Sequence, residues 1–164
     1  MKKRLGVFFL LLLAPLIVHA GAAEEVAALI EGRDSSPGVV FDIMTGEHDA
    51  LERLLPEVIG YVERIRAGRP GLDMVVVSHG DEMFALKREQ AFVHGEVHEN
   101  ARRLVGMQVT FHVCGALAGM RGVDEGAFVD FIDVSPSGPA QVNDYRALGY
   151  RIVFIGDPNF VPRP

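Results

Sequence analysis

The chain has 164 residues, 49% of them hydrophobic, with 16 basic and 22 acidic residues and a formal net charge of −6. That hydrophobic share excludes a disordered chain, and the acidic balance argues against nucleic acid or anionic lipid as a partner. A single cysteine excludes an internal disulfide and leaves three readings: a buried inert thiol, an intermolecular link or a reactive group.

Residues 1–20 carry the pattern of an export signal. Lys2, Lys3 and Arg4 form a positive start, an apolar run follows, and Val18-His19-Ala20 ends in small-residue cleavage chemistry. The run is shorter than the roughly 20 residues that span a bilayer. Cleavage and a periplasmic location are therefore expected, with an uncleaved anchor as the alternative. Once the signal is removed no membrane span is expected, and the remainder is more acidic still.

Residues 21–38 read as an N-terminal arm and linker: a short helix over 22–31, then Gly32-Arg33-Asp34-Ser35-Ser36-Pro37-Gly38, loosely attached. The domain is expected over 39–164, opening on the strand VVFDIM. Leu51, Leu54, Leu55, Val58, Ile59, Val62 and Ile65 recur at three and four, the stripe of an amphipathic helix within 48–67, which Pro56 is expected to kink or start. Residues 72–78 (LDMVVVS) form a second strand closed by His79-Gly80. Residues 81–93 fit no single period and read as a loop or lid over a site.

A helix is expected over 96–105, with Gly106 as its stop. The next apolar run turns at Cys114 into the small-residue segment Gly115-Ala116-Leu117-Ala118-Gly119-Met120. A strand thus delivers the thiol to the start of a helix, where unpaired amides favour thiolate over thiol. A fourth strand is expected over 127–134 (AFVDFIDV). Ser137 caps a helix over 138–148, and residues 150–155 (YRIVFI) form a fifth strand. Strands alternating with helices predict an α/β fold of three layers, a mostly parallel five-stranded sheet with helices on both faces.

In such sheets ligands bind outside the carboxyl ends of the strands. His79, Gly80, Cys114, Gly115 and Ser135 all lie at or just after such ends. His112 is two residues before Cys114, on the same strand face, as a cation or hydrogen-bond partner for the thiolate or as a satisfied rim histidine. Asp42, polar within an apolar strand, reads as a hydrogen-bonded structural group near the rim. His94 and His98 are spaced for one helix face, but HGEVH lacks the Glu that a zincin motif needs and no third ligand is evident. Phosphate-cradle and serine-elbow motifs are absent.

The strand ending in His79-Gly80, the strand leading to Cys114 with Arg121-Gly122 after it, and the late Leu148-Gly149-Tyr150 stand in the order and spacing of one family. By these motifs the chain resembles the DsrE/DsrF family, the DsrE-like group that includes TusD- and YchN-type sulfur-relay proteins. The resemblance implies a three-layer α/β fold, association into a trimer or hexamer, and sulfane sulfur carried as a persulfide on Cys114. It requires neither metal nor organic cofactor, and it leaves the sulfur donor and acceptor protein unknown. The first expectation is a periplasmic sulfur carrier or sulfurtransferase acting through Cys114, with His112 and His79 shaping its pocket. The alternatives are a non-catalytic homo-oligomer in which Cys114 packs, and a metal-binding protein using His94 and His98.

Overall fold

Five apolar segments, β1 (Gly38–Met44), β2 (Asp73–Ser78), β3 (Thr110–Cys114), β4 (Asp133–Ser135) and β5 (Arg151–Gly156), pair into one sheet in the order β4-β3-β2-β1-β5. Every neighbouring pair is parallel. The computed structural model describes residues 21–157 and 159–160, so the expected export signal lies outside the described residues. The helices are α1 (Ala22–Ile30), α2 (Leu51–Gly68), α3 (Gly95–Gly106), α4 (Gly115–Met120) and α5 (Gly138–Ala147).

The strand order decides where the helices go. Connections from β1 through β4 step in one direction across the sheet, and right-handed crossovers place α2, α3 and α4 on one face. The last connection returns past β1 to β5, which places α5 on the other. Two cores result. Phe41, Ile43, Val76, Phe111 and Val113 pack beneath the apolar stripe of α2, which runs through Pro56 unbroken, and beneath Val97, Ala101 and Leu104 of α3. Val40, Val75 and Val77 form the smaller core under Val142 of α5.

Three expectations change. The N-terminal segment is docked rather than loose: Val26 and Leu29 of α1 are fully buried, and α1 packs on α2 and β5. The linker after it is held by Arg69, whose guanidinium donates to the carbonyls of Asp34 and Ser36 at 2.9 and 3.2 Å. Residues 81–93 are not a lid throughout. Asp81–Leu86 is a 3-10 turn with Glu82 to Leu86 buried, and only further on do Phe92 and Val93 stand in solvent, 99% and 68% exposed. The fourth strand is three residues long, because Phe128 and Val129 leave the sheet to pack on the 81–86 turn, where Val129 N–H donates to Leu86 O at 3.3 Å. A short strand at this edge also limits unwanted pairing with other chains.

Candidate functional site

Between β3 and β4 the outgoing chains diverge, α4 to one face and α5 to the other. Such a switch point opens a crevice at the carboxyl ends of the strands. Cys114 sits in it. As the last residue of β3 and the cap of α4, it turns its Sγ towards two amides: Leu117 N–H at 3.4 Å and Gly138 N–H at 3.2 Å. Two helices that leave in different directions thus aim their first turns at one sulfur, an arrangement suited to a sulfur that carries negative charge. The residue is 3% exposed.

Gly138 brings a second group to the same place. A β-carbon there would lie 2.3 Å from His79 Cβ and 3.2 Å from Cys114 Cβ, so the bare backbone of α5 wedges between the two side chains. His79 is buried, and its Nε2–H donates to Asp42 Oδ1 at 2.6 Å, which gives the polar residue of β1 its partner. The structure therefore gathers Asp42, His79, Gly138 and Cys114 in the layer between the sheet and the start of α5.

The other expected site residues play different parts. Ser135 pairs in register with Cys114, and its hydroxyl donates to Val113 O at 3.2 Å, fastening β4 to β3. A β-carbon on Gly115 would lie 3.0 Å from Ser135 O, so this glycine lets α4 start hard against β4. His112 faces Tyr145 of α5, with Nε2 3.2 Å from its hydroxyl; no hydrogen bond joins it to Cys114. Burial lowers the His112 pKa, partly offset by Asp133, which works against a cationic role.

Gly80 belongs to a buried knot that sequence reasoning missed. A β-carbon on it would lie 2.3 Å from Thr45 O and 2.2 Å from Glu82 Oε2. The fully buried Glu82 carboxyl accepts from Thr45 N–H at 2.9 Å, Ser78 Oγ–H at 2.8 Å and Gly80 N–H at 3.0 Å, tying the ends of β1 and β2 together. Burial raises its pKa while these three hydrogen bonds pull it down. An acid inside the otherwise apolar EMFAL was its sequence signal. Gly138 had a fainter one, a glycine between two prolines after a strand.

The histidine pair does not converge. Nε2 of the buried His98 bonds the Ala85 carbonyl at 2.9 Å, while His94 Nδ1 meets Glu52 Oε1 at 3.0 Å. Among the described residues no group of three or more His, Cys, Asp and Glu is placed to hold a metal. Beside α4 a cleft of about 380 Å3 is walled in part by His48, Lys87, His94 and Arg121; neither Cys114 nor His79 lines it. Among the described residues no helix is long and apolar enough to cross a membrane.

The model of the DsrE/DsrF-like family matches residues 40–155. Among solved structures, the chain is similar to MTH1491 from Methanobacterium thermoautotrophicum, titled a protein of unknown function: 20% identity, 71% of this chain and 97% of that one, TM-score 0.59. It is also similar to the ychN protein from E. coli, with 15% identity, 72% and 98% coverage, and a TM-score of 0.57. At these identities the likeness is one of fold. No curated protein matches the chain.

Proposed function

The chain belongs to the DsrE/DsrF-like family, and on that premise we propose that it is a sulfur-relay protein that accepts sulfane sulfur on Cys114 and hands it on. The observation that carries this reading is the pair of helix amides on Cys114 Sγ at the β3–β4 switch point. A Cys114 thiolate attacks the outer sulfur of a donor R–S–SH. The new S–S bond forms as the donor's S–S bond breaks, and R–S⁻ leaves with the electron pair. Cys114 is then a persulfide, and a partner thiolate attacks its outer sulfur in turn and regenerates the Cys114 thiolate. The two amides stabilise the anionic sulfur at both ends of the cycle. His79, oriented by Asp42, shapes the wall of the same crevice. The proposal includes a periplasmic setting, from the signal pattern of residues 1–20, and a trimeric or hexameric assembly.

One observation favours a second reading: at 3% exposure Cys114 is as buried as a packing cysteine. In that case the protein is a non-catalytic oligomer. Intact mass of the folded protein before and after polysulfide treatment separates the two, with a reductant control and Cys114→Ser alongside. The relay reading expects a reducible gain of one sulfur, ~32 Da, that Cys114→Ser abolishes. No gain on the folded wild type would leave the packing reading.

A further inference from the structure

We infer that the first turn of α5, residues 137–141, is a gate over Cys114: closed, it holds the sulfur, and its local opening admits the reactant that exchanges sulfur there. What passes through the gate rests on the relay reading; the opening itself does not.

Cys114 is 3% exposed, so part of its surroundings must yield before a reactant touches Sγ. Two elements hold the sulfur. One is α4, whose Leu117 and Ala118 are buried in the main core and whose Gly115 lies hard against β4. Moving it would open that core. The other is the start of α5, which has no such anchor: Gly138 carries no side chain, Pro139 and Ala140 are exposed, and Val142 is the first side chain of the helix buried in a core. Unwinding one turn there uncovers little apolar surface, so hydrophobic burial does not oppose it.

The hydrogen bonds that close the turn are few. Gly138 N–H donates to Cys114 Sγ at 3.2 Å, Ala140 N–H to Ser137 Oγ at 3.4 Å and Gln141 N–H to Ser137 O at 2.9 Å. No acidic residue stands in the turn to support the helix N-terminus. Fixed points bound the segment on both sides. Ala116 N–H donates to Pro136 O at 3.0 Å before it. Beyond Val142 the Tyr145 hydroxyl lies 3.2 Å from His112 Nε2, and Tyr150 O–H donates to Asp73 Oδ2 at 2.6 Å. The opening therefore stops short of unfolding the helix. Because Gly138 is wedged against both side chains, it uncovers His79 together with Cys114. The His79 ring, 6% exposed, is bonded through Nε2 alone, so the open state presents an imidazole and a thiol together.

The test is alkylation of Cys114 by iodoacetamide in the folded full chain, across pH and in low urea. Iodoacetamide reads access alone, whereas sulfur loading also needs the Gly138 amide back on the sulfur. Labelling is expected under native conditions at a rate that stays flat in low urea, as for a local opening that exposes little surface. Ser137→Ala removes the cap and should raise the plateau rate at high pH about fivefold, with the midpoint of the pH profile unchanged. Ala140→Gln, which completes a capping box at an exposed position, should lower the rate. Asp124→Ala removes a similar cap elsewhere, the acceptor of Gly126 N–H at 2.8 Å, and should leave the rate unchanged. A rate that climbs with urea in step with global unfolding overturns the inference, as does a folded wild type that does not react, or a Ser137→Ala rate equal to the wild type's. Failure to load sulfur from polysulfide while alkylation follows the gated pattern is a separate result, which sinks the relay reading and leaves the gate standing.

Discussion

Gly138 joins two side chains that are distant in sequence, since its N–H donates to Cys114 Sγ while its α-carbon leaves no space beside His79 Cβ. Gly138→Ala must push the start of α5 away from the sheet. Overpacking of this kind costs about 1–3 kcal/mol, and lengthening of the amide–sulfur contact should slow sulfur loading; urea unfolding and timed intact mass measure the two effects on one sample. Asp42 acts on the same layer from below. Asp42→Ala leaves the buried His79 N–H without an acceptor, a loss of about 1–3 kcal/mol. Asp42→Asn keeps a carbonyl oxygen in place and should lose less than half as much in the same unfolding experiment.

At the scale of elements, the knot around Glu82 fixes the ends of β1 and β2 relative to each other, and it does so with a titratable group. Because burial raises its folded-state pKa, the folded chain keeps this proton where the unfolded chain has released it. The associated contribution is full below the ordinary carboxylate range and is lost as pH rises through the folded-state value. Wild-type stability measured against Glu82→Gln, which does not titrate, should therefore decline as pH rises above the ordinary carboxylate range; a difference that stays flat or moves the other way would show that the three hydrogen bonds prevail over burial. The same knot explains what could be read from sequence. β1, β2, β3 and β5 are legible because parallel strands covered on both faces appear as continuous apolar runs. Residues 81–86 have no helical or strand period, since their burial is set by Phe128 and by Glu82 hydrogen bonds, not by their own repeat. Cys114 stands out as a strand-to-helix junction, whereas Asp42–His79 and Cys114–Gly138 are pairings 37 and 24 residues apart that only strand register brings together.

On the scale of the whole molecule, the two faces of the sheet are unequally covered. Among the described residues α1, α2, α3 and the short α4 shield one face, while α5 alone covers the other and leaves Ile152 and Phe154 of β5 half-buried. Phe92, Val93 and Leu148 are further large apolar groups in solvent. An assembly would cover such surface, so light scattering at micromolar concentration should return the mass of a trimer or hexamer, and a monomer there would remove the oligomer from the proposal. The strand order has a consequence for the birth of the chain. β1 is the first strand to be made, yet one of its two neighbours, β5, is the last, and α1 also rests on β5. A nascent chain that has completed β4 still presents the open edge of β1 to its surroundings, so folding must wait for residues 151–156. Synthesis stalled before that point leaves a sticky intermediate for a chaperone to hold, and a stop codon just ahead of Arg151 should yield insoluble protein where one just after Asp157 does not.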